Sequence, residues 1–410
     1  MSQKSKAELI YNNFIYDSLV ETVIFGQNTS VYSPLAIMEL GKTNAMRLKF
    51  DKLKADNEFY QYTIVHCSHD WKPSNLQKTE YIEGSFMGDI MDFEYSTNTF
   101  QQYVQYELIF PTLDMQITKS GNYLLKIYRN FDENDLVLTR RFMVVESVTS
   151  ITGTARPATN ATDRFSKQEV DFEINYENFD LQNPFTNINT VIIQNNSWNN
   201  SIQNLKPMFM SNNMLQFNYE NENVMVGTNE FRYFDIRSLR SFSTNVVDKY
   251  TDSLRNAVLK GEEIKAHLNY IKTIDYNGKR VIQNTDGQDA TENGDYVLVH
   301  FSLRSDNELN VGDVYVYGEL SDWRLQDKFK MTYYPNEKIY YLAVKLKQSY
   351  YNYHFVTKDP ETGKVTYDFT EGNHSETEND YTVLAYYYDN YYGYDRLIGY
   401  TTINTMTDRK

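Results

Sequence analysis

The chain has 410 residues, with 40 basic and 55 acidic side chains and a formal net charge of −15. Cut at residues 146 and 293, its thirds carry −5, −4 and −6; an even acidity of this kind excludes a nucleic-acid protein and a polybasic lipid-surface binder, both of which need clustered Lys and Arg. A single cysteine, Cys67, excludes an intrachain disulfide and a Cys-based zinc site, and an aromatic content of 15% excludes a disordered chain.

At ~100–200 residues per domain the length predicts two to four domains. No run of ~18 apolar residues is present, so no transmembrane segment is expected. The start, Met1-Ser-Gln-Lys-Ser-Lys6, is polar with no apolar signal core. Taken alone it reads as cytoplasmic, and equally as a mature chain whose signal peptide has been removed.

In chain order, period-2 alternation predicts strands throughout. Phe59, Gln61, Thr63 and Val65 share one face of the first, with Tyr60, Tyr62 and Ile64 on the other. Residues 103–110 form a strand stopped by Pro111, which cannot donate to a ladder. A turn at Ser120-Gly-Asn122 leads into a strand at 123–128, and a polar turn at Asp132-Glu-Asn-Asp135 into one at 136–145. The polar stretch 149–167 is the first expected linker. Strands resume at 169–176, where Val170, Phe172, Ile174 and Tyr176 alternate with charges, and at 190–194 and 231–237. In 246–260 Val247, Tyr250, Leu254 and Val258 fall at helical spacing, which leaves an amphipathic helix and a strand pair as alternatives. Residues 287–294 form the second expected linker, followed by strands at 296–303, 314–317, 340–346, 350–356 and 381–388. The pattern predicts an all-β chain of three consecutive immunoglobulin-like β-sandwich domains, 1–148, 149–293 and 294–410.

The search for chemistry is short. In His66-Cys67-Ser68-His69-Asp70 the two histidines are three apart at a strand end, which points their rings to opposite faces and favours a polar turn over a metal site. Cys67 reads as a small buried hydrophobe. Neither a phosphate loop nor Gly-x-Ser-x-Gly is present, and Glu220/Glu222 and Glu262/Glu263 read as solvated turn charges. Asp306-Asn-Glu-Leu-Asn-Val-Gly-Asp313 departs from the calcium-loop spacing. No enzyme activity, cofactor or metal is expected.

Tyr62-Thr-Ile-Val-His-Cys-Ser-His-Asp-Trp-Lys-Pro-Ser-Asn-Leu76 closely resembles the plug proteins of the bacterial type IX secretion system. So do Ser120-Gly-Asn-Tyr-Leu-Leu-Lys-Ile-Tyr128, Asn229-Glu-Phe-Arg-Tyr-Phe-Asp-Ile-Arg237, Gly312-Asp-Val-Tyr-Val-Tyr-Gly318 and Tyr394-Asp-Arg-Leu-Ile-Gly399, in order along the chain. The resemblance implies a periplasmic, non-enzymatic protein built of β-sandwiches. It also implies binding to the periplasmic mouth of the giant outer-membrane translocon barrel and a signal peptide in the precursor. Within it, Val314-Tyr-Val-Tyr-Gly-Glu-Leu-Ser-Asp-Trp323 is similar to glycogen-binding modules, where a Trp at this place stacks on sugar. A carbohydrate-binding protein using Trp323 is therefore the alternative function, although the second Trp of such modules is missing after Val356.

Tyrosine is unevenly spread: 11 of 36 in the first third, 6 in the second and 19 after residue 293. Tyr gives large contact area with few rotatable bonds and a polar tip, which suits an interface that is also wetted. Tyr386-Tyr-Tyr388 and Tyr391-Tyr-Gly-Tyr394 cannot all face one core. The candidate docking residues are Trp323, Tyr386, Tyr388, Tyr391, Tyr392 and Tyr394. The expected partner is the translocon barrel, with nucleic acid excluded, small molecules disfavoured and a glycan left open.

Overall fold

A computed structural model describes residues 8–29, 35–286 and 294–406. It is built almost wholly of strands, arranged as three β-sandwiches. In the first, the sheet of Val20–Gln27, Met46–Lys52, Val104–Phe110 and Asp92–Tyr95 packs on Gly88–Ile90, Tyr60–Cys67, Gly121–Arg129 and Asp132–Val145. Met46, Leu48 and Phe50 meet Tyr62, Ile64, Leu125 and Phe142 in its core. The period-2 pattern positions these side chains, because every second residue of each strand turns inward.

The second sandwich pairs Ser150–Pro157, Lys167–Asn175, Met214–Phe217, Phe209–Ser211 and Val224–Val226 in one sheet. Its other sheet runs Ser197–Leu205, Ile188–Gln194, Asp380–Asp389, Tyr394–Asn404. Phe172 stacks on Phe217 at 4.4 Å in a core shared with Ile192, Tyr381 and Val383. The third sandwich packs Val246–Thr251, Arg255–Leu259, Tyr296–Arg304, Ile339–Lys347 and Thr332–Tyr334 against Arg232–Asp235, Ser349–Lys358 and Arg280–Ile282.

The all-β sandwich architecture agrees with the reading from composition and alternation, but the sheets cross both expected linear boundaries. Arg232–Asp235, Val246–Thr251 and Arg255–Leu259, placed at 149–293 by sequence, belong to the third sandwich. Residues 380–404, placed in 294–410, complete the second, with Val191 opposite Leu384 and Thr382 opposite Thr402. Much of the first expected linker is itself a strand: Ser150–Pro157 forms a hairpin with Lys167–Asn175 and turns Ile151 and Ala155 inward. Most of the second expected linker, 287–293, lies outside the described residues. Residues 246–260 form a strand pair, Val246↔Leu259 to Thr251↔Arg255; sheet pairing with Tyr296–Arg304 overrides the helical spacing. The turn expected at 132–135 sits earlier, at Asn130 and Phe131, both left-handed (φ 58° and 55°), so that Asp132–Val145 is one long strand.

The first and second sandwiches join edge to edge. A single parallel bridge, Val145↔Leu397, continues through Glu146 N–H to Leu397 O (3.0 Å) and Val148 N–H to Ile398 O (3.0 Å), making one ten-stranded sheet. Over that seam lies a further core of Leu124, Met143, Val191, Ile193, Leu384 and Tyr386. The strand Asp380–Asp389 is therefore apolar on both faces: Tyr381, Val383 and Ala385 enter one core, Leu384 and Tyr386 the other.

Candidate docking face

The hairpin joining Asp380–Asp389 to Tyr394–Asn404 is held by one side chain. Asp389 Oδ1 accepts the backbone N–H groups of Tyr391 (3.0 Å) and Tyr392 (3.1 Å), while Gly393, at φ 70°, turns the chain back by donating its N–H to Asp389 O. The turn lifts Tyr391 and Tyr392 out of the sheet, and they are 87% and 54% exposed. Their rings meet edge to face at 4.7 Å, and the Lys119 ammonium lies 4.4 Å above Tyr392. Tyr388, 38% exposed, precedes the turn on the same strand. These three tyrosines form an amphipathic, cation-flanked tip. Lys119 had no signal in the sequence, since the fold alone brings it to the hairpin.

Tyr386 and Tyr394 are corrected as docking residues, because both are buried. The Tyr386 hydroxyl donates to Asn122 Oδ1 (2.8 Å) inside the seam core, where burial pushes its pKa up. Tyr394 packs edge to face on His66 at 5.5 Å. Tyrosines that one core cannot accommodate are taken up here by a second core of the same chain.

Trp323 sits in a turn at φ 53°, half-buried, with Tyr317 at 5.5 Å and Phe231 at 6.1 Å in edge-to-face contact. Its carbonyl accepts Asn199 Nδ2 (2.6 Å) from the second sandwich. Gly278 (φ 79°) lies under the indole so closely that a Cβ there would come within 2.2 Å of the ring. Trp323 thus packs two sandwiches together, a setting that argues for packing over a sugar platform.

In the 66–70 cluster, His66 Nε2 donates to Ser120 O (3.1 Å) and burial lowers its pKa to about 4. His69 faces elsewhere. Its backbone N–H and ring Nδ1 both meet Asp395 Oδ2 at 3.0 Å, and its Nε2 meets Asn204 Oδ1 at 2.9 Å. Burial works against a charge on His69, but Asp395 outweighs it and the pKa rises. Cys67 is buried, and its thiol is pushed up to about 12. Among the described residues no three His, Cys, Asp or Glu side chains converge as a metal site. Nor is any helix there long and apolar enough to cross a membrane.

Residues 20–146 match the model of the type 9 secretion system plug protein 1st domain. No curated protein matches the sequence. The whole chain is similar to the crystal structure of a hypothetical protein from Parabacteroides merdae ATCC 43184. The two share 30% identity and a TM-score of 0.91, over 97% of this chain and 100% of that one. The first sandwich is thus the first domain of a type 9 secretion system plug protein, within a chain whose fold the Parabacteroides merdae protein shares over nearly its full length.

Proposed function

We propose that this protein is the periplasmic plug of a type IX translocon, docking on the periplasmic mouth of the outer-membrane barrel and sealing its pore while the channel is idle. The observation that carries this reading is the plug-domain match over residues 20–146. The physics is compatible. A compact chain of this length has a radius of gyration of ~22 Å and spans roughly 55 Å, enough to cover the mouth of a barrel at the top of the known strand-number range. A plug needs a rigid body and a releasable contact, and it needs no catalytic group. The rigidity comes from bonds between sandwiches: the Arg140–Asp322 ion pair (3.1 Å), Arg280 Nη2 to Val23 O (2.5 Å) and Tyr103 OH to Gly294 O (2.9 Å).

The docking contact is assigned to the tip of Tyr388, Tyr391 and Tyr392. The test is deletion of the gene in a strain that also lacks the smaller barrel partner which, by the resemblance to plug proteins, is the alternative seal at the translocon's lateral opening. The double deletion is expected to admit large antibiotics through the outer membrane; impermeability equal to that of the parent strain would refute plugging. Capture of the barrel from outer-membrane extract by the tagged protein tests the docking step separately.

A further inference from the structure

All three sandwiches meet around one cavity of about 110 Å³. Arg140 and Arg141 line it from the first, Trp198 from the second, and Lys279, Arg280 and Trp323 from the third. Among the described residues two carboxylates, Glu319 and Asp322, join these four cations on the wall. In a chain of net charge −15 the local balance is reversed.

The carboxylates are already engaged. Asp322 takes Arg140 at 3.1 Å, and Glu319 Oε2 accepts the Arg280 backbone N–H at 2.8 Å. Among the described residues the Arg280 guanidinium, about nine-tenths buried, donates only to Val23 O. Its distances to Glu319 and Asp322 are 3.9 and 4.0 Å, beyond hydrogen bonding, and its Nε has no hydrogen-bond partner among the described residues. Arg141 donates Nε and Nη2 to Tyr11 O and stacks on Trp71 at 4.4 Å, with no carboxylate partner among the described residues. Lys279 has Asp380 at 4.0 Å, again outside hydrogen-bond range. Clustered guanidinium groups are costly to enclose without counter-charge. Arg140 shows that cost: burial, and the neighbouring Arg280 and Arg324, lower its pKa against the pull of Asp322.

We propose that this cavity binds a small oxyanion, held by Arg280, Arg141 and Lys279, which fastens the three sandwiches to one another. Guanidinium forks recognise carboxylate and sulfate oxygens in pairs, and the cavity has room for an ion of that size. The ligand would act on the rigidity of the whole body, which is separate from the exposed tyrosine tip and independent of whether that tip docks on a barrel.

The test is calorimetric titration of the full chain with sodium sulfate and, separately, sodium succinate, against sodium chloride at matched ionic strength, with thermal midpoints in parallel. Saturable one-site binding of either anion, with a midpoint rise that levels off, is expected. Sulfate alone identifies an inorganic ion as the ligand, succinate alone a carboxylate, and both together the shared oxyanion chemistry. Lys279→Gln should weaken binding at least tenfold, and Arg141→Lys, which keeps the charge and loses the fork, should weaken it less than Arg141→Gln. If Arg141→Gln does not fold, Lys279→Gln, at a partly exposed position, decides alone. A response that never saturates, that chloride reproduces, or that Lys279→Gln leaves unchanged would overturn the site.

Discussion

Asp51 Oδ2 and Lys347 Nζ, 296 positions apart, meet at 2.7 Å with neither side chain open to solvent, and they tie the first sandwich to the third. The same Asp51 oxygen accepts the Tyr296 hydroxyl (2.7 Å), and Gln105 Nε2 donates to the other at 3.1 Å. The ammonium also lies 4.2 Å above the Tyr103 ring. A buried pair adds little over an apolar replacement, but breaking it leaves a charge stranded. Lys347→Met is therefore expected to cost about 3–5 kcal/mol, read as a lower urea midpoint. Asp51→Leu combined with Lys347→Met should recover part of that loss; equal destabilisation of single and double variants would argue against a coupled pair.

Acid should loosen the protein through its enclosed histidines. Burial lowers His66 and His354 to about 4, against about 6.5 in an unfolded chain. Between these values the unfolded state binds protons that the folded state refuses. The histidines' contribution is thus full above about 6.5 and lost as pH falls toward 4, each adding about 1.4 kcal/mol per pH unit.

Asp275 acts with the opposite sign. Burial raises its carboxyl to about 7, so its contribution is present below the unfolded value of about 4 and is lost as pH rises toward 7. Plotted between pH 4.5 and 6, the stability slope of His66→Gln/His354→Gln should be shallower by about 2.7 kcal/mol per unit, and that of Asp275→Asn steeper by about 1.4. Unchanged slopes would mean that these groups titrate alike folded and unfolded.

Cys67 should resist thiol reagents. Its buried thiol, pushed up to about 12, has almost no thiolate at pH 8. Iodoacetamide is expected to leave the native protein unlabelled over hours and to label the urea-unfolded chain fully. Fast native labelling would reopen a chemical role for this side chain.

The tyrosines divide into two tests. Tyr391→Ala/Tyr392→Ala removes exposed rings, so stability should stay within about 0.5 kcal/mol, while capture of the barrel from outer-membrane extract falls at least tenfold. Tyr386→Phe should do the reverse, keeping capture and losing about 1–2 kcal/mol with its hydrogen bond to buried Asn122. Undiminished capture by the double alanine variant would move the docking contact elsewhere.

Alternation made the strands legible, because a sheet with one wet face writes its period into the sequence; Lys167–Asn175 is an example, with Val170, Phe172 and Ile174 buried. Partnership between strands was not legible. Nothing local in 380–404 says that its neighbours are Ile188–Gln194 and Val145 rather than the preceding strands. The unbroken run Tyr-Thr-Val-Leu-Ala-Tyr-Tyr did carry a signal, since a strand apolar on both faces lies between two cores. Of the six candidate docking residues, exposure separates Tyr388, Tyr391 and Tyr392 from Tyr386 and Tyr394: the turn lifts Tyr391 and Tyr392 clear, while Tyr386 and Tyr388 share a strand face of which only Tyr386 lies under the seam core.

The late hairpin also sets a schedule for the chain. Gln194 Nε2 finds the Tyr381 hydroxyl 187 positions downstream, so the middle sandwich lacks half of one sheet until those residues emerge. A chain threaded across a membrane from its front end would carry an open, apolar sheet edge for most of its passage. Closure of the middle sandwich, and with it the seam to the first, must wait for residues 380–404, and a chain halted before residue 380 leaves that sheet edge unpaired.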